Sequence, residues 1–262
     1  MISSSRVFVR PLFHRKTDRA LSSDGTHAHC RALTPIKIET RATPTMNSHF
    51  RGILLGLTLM GLTATSTSTM GAEKALRPIP ENAQTAIFAG GCFWCVEKDF
   101  DHVPGVLRTT SGYTGGDTKA PTYQQVSRGG TGHIEAVEIA FDPAKITYAE
   151  LLEVFWRSVD PTDDGGQFCD RGHSYKTTVF TNSPEQQRVA QASKQALEKS
   201  GVLGAPVVTP ITAAGPFYPA EGYHQNYYEK NPGRYTFYRF SCGRDRRVES
   251  LWGEQAHKGI VH

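Results

Sequence analysis

The stretch Thr85-Ala86-Ile87-Phe88-Ala89-Gly90-Gly91-Cys92 constrains the fold more than any other part of this chain. A short apolar run stopped by paired glycines reads as a buried strand. From Cys92 to Phe100 the apolar residues Phe93, Val96 and Phe100 recur between charged ones, the spacing of an amphipathic helix. A buried strand that passes directly into a helix requires helices packed against a sheet. Ile134 to Phe141 alternates and is closed by Asp142-Pro143, which predicts a second strand. Thr147 and Glu150 form a capping box ahead of Leu151, Leu152, Val154, Phe155 and Trp156. Ser183-Pro184-Glu185 opens a helix running to about Lys199 and ended by Gly201. Thr177 to Thr181 reads as a further strand and Val207-Val208-Thr209 as a strand candidate, with Gly105 to Gly116 turn-rich and Asp160 to Gly172 a loop. The alternation predicts an α/β or α+β domain without internal repeats.

Composition admits one such core. Of 262 residues, 38% are hydrophobic, 21% charged and 10% aromatic, which excludes collagen, coiled coil and disorder throughout. No apolar run reaches the roughly 18 residues of a membrane-spanning helix, and no stable membrane partner is expected. The net charge of +4 has its source in residues 1–45, where eight Lys/Arg face three Asp/Glu. The rest of the chain is close to neutral, so no nucleic-acid partner is expected. Residues 1–45 are Arg- and Ser-rich and lack periodicity; they read as an over-extended start before Met46 or as an organelle-type leader. Residues 46–72 have the layout of a secretory signal peptide: His49 and Arg51, an apolar core from Ile53 to Leu62, then small residues to Ala72. Met70 sits where a small residue is preferred, and no Cys follows the core to carry a lipid. Residues 73–262 then form a single domain, expected in the periplasm, with cytoplasmic or organellar location as the alternative.

Outside the leader, which holds Cys30, the cysteines are Cys92, Cys95, Cys169 and Cys242. Cys92 at a helix start faces unpaired N–H groups and the positive end of the helix dipole, which favour its thiolate. Cys95 is one turn on, within possible disulfide reach. A lone C-x-x-C is compatible with a redox dithiol, half a zinc site or two small core residues. No second C-x-x-C or H-x-x-x-H completes a zinc site, so no metal is expected.

Gly91-Cys92-Phe93-Trp94 resembles the nucleophile motif of the peptide methionine sulfoxide reductase A family. The resemblance continues in order through Gly112-Tyr113-Thr114-Gly115-Gly116, Pro121-Thr122-Tyr123, Gly132-His133-Ile134-Glu135, Asp160-Pro161, Cys169-Asp170-Arg171-Gly172 with Tyr175, and Tyr223-His224-Gln225 leading to Lys230-Asn231-Pro232. It spans about Thr85 to Trp252. It implies an α+β sandwich with a mixed sheet, and Cys92 as nucleophile. Phe93 and Trp94 would form the pocket for the substrate methyl group, Glu135 the proton donor, Tyr123 and Tyr175 the donors to the sulfoxide oxygen, and Asp170 a further site residue. Cys95 stands where the family often has Gly, and Ser241-Cys242-Gly243-Arg244-Asp245 replaces the usual cysteine-bearing tail.

The chemistry fits these residue types. A sulfoxide sulfur becomes electrophilic once its oxygen is protonated or strongly hydrogen-bonded, so a thiolate and an acid must act together. The product sulfenic acid condenses with a second thiol to a disulfide, which an external reductant such as thioredoxin reduces; no bound cofactor is implied. Cys242 is the favoured resolving cysteine, because a flexible Gly- and Arg-rich tail can swing to Cys92; Cys95 and Cys169 are the alternatives. The resemblance implies that the substrates are oxidised proteins or free methionine sulfoxide, as the S epimer, and the chain is expected to act as a monomer. Taken singly, the same residues have plainer roles: Phe93 and Trp94 in the core, Glu135 on a solvated face, Tyr123 and Tyr175 at an edge, and His133, His173 and His224 in hydrogen bonds. A thioredoxin-like dithiol oxidoreductase using Cys92 and Cys95, and a binding module with structural disulfides, are the competing readings.

Overall fold

Alternation along the strands sets the architecture of this computed structural model, which describes residues 78–261. The leader and the signal-peptide layout lie outside the described residues. In β1 (Gln84–Gly90), Ala86 and Phe88 face one core while Ile87 and Ala89 face another, so both sides of the strand are buried. β3 (Ile134–Phe141) repeats the pattern: Val137, Ile139 and Phe141 join the first cluster, Ile134 and Ala136 the second. The first is the main core. There Phe88 meets Phe100 of α1 (Phe93–Asp101) and Phe155 of α3 (Tyr148–Trp156), with ring centroids 5.5 and 5.0 Å apart. Burying each such ring contributes about 1.5–3 kcal/mol.

β1 and β3 lie centrally in a six-stranded mixed sheet completed by β2 (Val106–Thr114), β6 (Thr177–Thr181), β7 (Ile211–Ala213) and β8 (Tyr218–Pro219). Its order is β7-β6-β1-β3-β2-β8, with only β6–β7 parallel. α2 (Tyr123–Arg128) carries the capping box of Thr122 and Gln125, and α3 the expected box of Thr147 and Glu150. α4 (Pro184–Ser200) runs from the Ser183 cap to Gly201 in the left-handed conformation, as its punctuation predicts. A small hairpin, β4 (Gly166–Gln167) and β5 (Asp170–Arg171), and the helices α5 (Tyr227–Lys230), α6 (Pro232–Cys242) and α7 (Arg244–Trp252) complete the domain.

Three expectations are corrected. Gly105 to Gly116 is mostly strand: β2 pairs with β3 along its length, favoured by Val106, Thr109 and Thr110. Gly112 there serves close approach rather than turning, since a Cβ would lie 2.4 Å from the Phe217 ring. Val207-Val208-Thr209 is not a strand; Val208 N donates to Pro161 O at 2.8 Å, and sheet pairing begins at Ile211. The loop from Asp160 to Gly172 contains the β4–β5 hairpin.

Candidate functional site

Cys92 occupies the N-cap of α1, immediately after the β1 strand. Gly91 makes the junction possible: its φ is +82°, and a Cβ there would lie 2.5 Å from Cβ of Gln167. The thiol does not behave as the helix dipole alone predicts. Burial raises the Cys92 pKa well above its ordinary value, helped by its hydrogen bond to Cys95 and by the charges of Cys95, Asp170 and Glu135. The first amide of the helix is also taken, because Phe93 N donates to Oε2 of Glu135 at 3.0 Å. Cys95, equally buried, is lowered to about 7, chiefly by accepting the Cys92 hydrogen bond, with Arg239 and Arg244 adding to this against burial.

Glu135 is 2% exposed, not solvated. Strand parity explains this: it shares the main-core side of β3 with Val137 and Ile139, and pairs across the ladder with buried Tyr113. Burial raises its carboxyl well above the usual range; the Phe93 amide opposes this, and the charges of Asp170 and Cys95 reinforce it. A carboxyl whose burial favours its protonated form therefore sits against the amide that follows Cys92.

Beside this pair lies an aromatic wall. Trp94 stacks on Tyr227 at 3.7 Å and 6°, meets Tyr238 edge-on, and donates from Nε1 to Nδ1 of His224 at 3.0 Å. The Phe93 ring lies 5.0 Å from His224 and 6.5 Å from Trp94. His224, lowered to about 4 by burial, is neutral and can accept that bond. Tyr123 joins the wall with its ring 4.5 Å from His224, and its amide donates to Oε1 of Glu221 at 2.9 Å. Tyr175, in the short 3₁₀ turn His173–Tyr175, is raised by burial and by the charges of Glu135, Tyr123, Asp170 and Cys92, which places its phenol among them.

Asp170, raised by burial, accepts a hydrogen bond from the Tyr238 hydroxyl. The neighbouring Cys169 is disulfide-bonded to Cys242 at the end of α6. This bond ties the hairpin carrying Asp170 to the helix carrying Tyr238. Cys169, Asp170 and Cys242 bring ligand atoms within 4.8 Å of one another, but the sulfurs are bonded to each other. Among the described residues Cys92 and Cys95 are the free thiols, so in this state Cys242, the favoured resolving cysteine, is occupied.

All the residues expected at the site thus fall in one region, with Cys169 and Cys242 at its border. Sequence reading left out Tyr227, Tyr235 and Tyr238 and undervalued His224. Tyr223-His224-Gln225 carried a signal through its place in the resemblance; the tyrosines of α5 and α6 carried none. His133 is a hydrogen-bonding residue, with Nε2 2.7 Å from Thr118 O and Nδ1 accepting from Gly116 N. His173 Nε2 lies 3.0 Å from Gly132 O.

The family model of peptide methionine sulfoxide reductase matches residues 84–256. The chain is 51% identical over 175 residues to peptide methionine sulfoxide reductase MsrA of Bacillus licheniformis, covering 67% of this chain and 97% of that one. It is 52% identical over 179 residues to MsrA 2 of Rhizobium meliloti, covering 68% and 88%. Among solved structures, methionine sulfoxide reductase A of Corynebacterium diphtheriae aligns with a TM-score of 0.53 at 33% identity, covering 58% of this chain and 77% of that one. Reduced Mxr1 of Saccharomyces cerevisiae aligns at 0.54 with 28% identity, covering 60% and 90%.

Proposed function

Because this chain belongs to the peptide methionine sulfoxide reductase family and reduces methionine sulfoxide, we propose that Cys92 attacks the sulfoxide sulfur while Glu135 protonates the departing oxygen. The observation that carries the assignment is the buried carboxyl of Glu135 held on the amide next to Cys92. Tyr123 and Tyr175 direct hydroxyls at the oxygen as charge develops there. Phe93 and Trp94 receive the apolar end of the substrate. The Cys92 proton passes to water as the sulfur attacks, so this step does not depend on the ionisation of Cys95. As the Cys92–sulfur bond forms, the S–O bond breaks and the oxygen leaves as water; water then attacks the Cys92 sulfur, the sulfur–sulfur bond breaks with its electron pair going to methionine, and Cys92 is left as a sulfenic acid.

Cys95 is the resolving thiol in this reading, rather than Cys242. It is free and packs with Cys92 in one buried cluster, whereas Cys242 is joined to Cys169. Attack by Cys95 forms the Cys92–Cys95 disulfide and releases water; an external dithiol protein of the thioredoxin type then restores both thiols. The substrates are methionine sulfoxides, free or within oxidised proteins, in the S configuration at sulfur. One experiment tests both parts. Each epimer is mixed with the reduced enzyme at one equivalent, methionine is counted, and the cysteine peptides are mapped. The S epimer is expected to yield methionine and a Cys92–Cys95 disulfide, and the R epimer neither. Equal yields from both epimers would defeat the stereochemical assignment, and a Cys92–Cys242 disulfide would defeat that of Cys95.

Export is part of the same proposal and rests on residues 46–72. Protein recovered from the cell envelope is expected to begin within a few residues of Glu73, as read by N-terminal sequencing. A chain starting at Met46 in the cytoplasm would contradict it. In an oxidising compartment the enzyme depends on a dedicated envelope reductant.

A further inference from the structure

Behind the C-x-x-C turn of α1 lies a buried ionic cluster that the reaction described above does not use. Asp99, one turn beyond Cys95, is fully buried between Arg239 of α6 and Arg244 of α7, themselves 6% and 1% exposed. Arg239 Nη1 donates to Asp99 Oδ1 at 2.8 Å and to the Tyr235 hydroxyl at 3.0 Å, and Tyr235 packs with Cys92 and Cys95. Arg244 has no such close carboxylate. Its Nη1 and Nη2 donate to the carbonyls of Gly90 and Ser158 at 2.9 and 2.8 Å, while Nε stands 3.7 Å from Asp99 Oδ2 without a hydrogen bond. Asp245 grips Arg239 from its other side, accepting from Nε at 3.0 Å and from Nη2 at 2.7 Å, but it stands at the rim, 44% exposed, where solvent screens its charge. Two buried guanidiniums thus share one buried carboxylate. A buried charge left over in this way is costly unless an anion accompanies it.

We infer that the Arg239–Asp99–Arg244 cluster positions the resolving step, its two buried guanidiniums against one buried carboxylate adding to the contact with Cys92 in holding the negative charge of the dithiol on Cys95. The inference rests on the reading of Cys95 as resolving thiol. The groups facing Cys95 are Cys92 and Asp99 on its own helix, Glu135 on β3, and Tyr235, Tyr238, Arg239 and Arg244 from α6 and α7, with Asp99 opposing its thiolate. Of these only the arginines bring positive charge. In the resolving step the Cys95 thiolate attacks the Cys92 sulfenyl sulfur, the S–S bond forms, the S–O bond breaks, and hydroxide leaves as water after taking a proton. Arg239 touches no reacting atom and is a positioning residue.

The cluster predicts shifts of opposite sign. In a Cys92→Ser background, alkylation of the Cys95 peptide is followed against pH for the parent, Arg239→Met, Arg239→Lys and Asp99→Asn. Arg239→Met is expected to raise the half-point by about one unit or more, leaving about tenfold less thiolate below it. Asp99→Asn is expected to lower the half-point, and Arg239→Lys, which keeps the charge, to hold it near the parent. With Cys92 present, Arg239→Met should slow decay of the sulfenic acid about tenfold at neutral pH, with recovery at high pH and an undiminished first release of methionine. A structural role alone would move the Met and Asn variants in the same direction or not at all, and that result overturns the inference while leaving Cys95 as the resolving thiol. A wild-type peptide map lacking the Cys92–Cys95 disulfide, with the alkylation shifts still opposed, would overturn the resolving role and with it the proposed step.

Discussion

Replacing Cys92 by serine is expected to reduce methionine release below detection, even in a single turnover with excess substrate. Serine preserves the N-cap position, the turn at Gly91 and a hydroxyl able to donate to Cys95, so the fold should persist. Its oxygen is a far weaker nucleophile toward sulfur and cannot form a sulfenic acid. No other described thiol can substitute. Cys95 lies one turn deeper and is 2% exposed, and Cys169 and Cys242 are bonded to each other. Cys95→Ser is the informative contrast, since it should still release one methionine per chain and then stall as the Cys92 sulfenic acid. Methionine counted by mass spectrometry after mixing separates the two variants. A Cys92→Ser enzyme that releases even one methionine per chain would show that another group attacks the sulfur.

The elements read most surely from sequence were those whose signals are local. The Gly90-Gly91 stop, the Thr147–Glu150 box and the Ser183-Pro184 start each specify one boundary by backbone chemistry, and each stands where expected. β2 was misread because its glycines suggested turns, whereas Gly112 exists to admit the Phe217 ring from more than a hundred residues away. Nothing near Gly112 in sequence announces that ring. The acidity of Cys92 was misjudged for the same reason: the dipole argument is local, but the burial and the carboxyls of Glu135 and Asp170 arrive from distant strands. Cys169 and Cys242 were weighed separately as partners for Cys92, and their separation of 73 residues concealed that they meet each other. Motif order singled out residues that the fold brings into one region; only the tertiary arrangement assigned their neighbours and their charge.

Glu135→Gln is expected to slow the first release of methionine by about 10²–10⁴-fold, the usual span for loss of a general acid. Glutamine matches the carboxyl in volume, and its amide oxygen can still accept from Phe93 N, so the turn beside Cys92 should survive. What it lacks is an acidic proton. The direction of the pH profile follows from the raised pKa. Below the folded-state value Glu135 is the neutral acid that the step requires; as pH rises through that value the carboxyl ionises and the wild-type rate falls. The Gln variant should lose that descending limb as well as the rate. Its residual activity then reports what hydrogen bonds from Tyr123 and Tyr175 achieve without proton delivery. Stopped-flow single turnovers across neutral and alkaline pH read the rate and the limb together. If the limb persists in the Gln variant, the titrating acid is another group at the site, with Asp170, also raised by burial, next to be replaced.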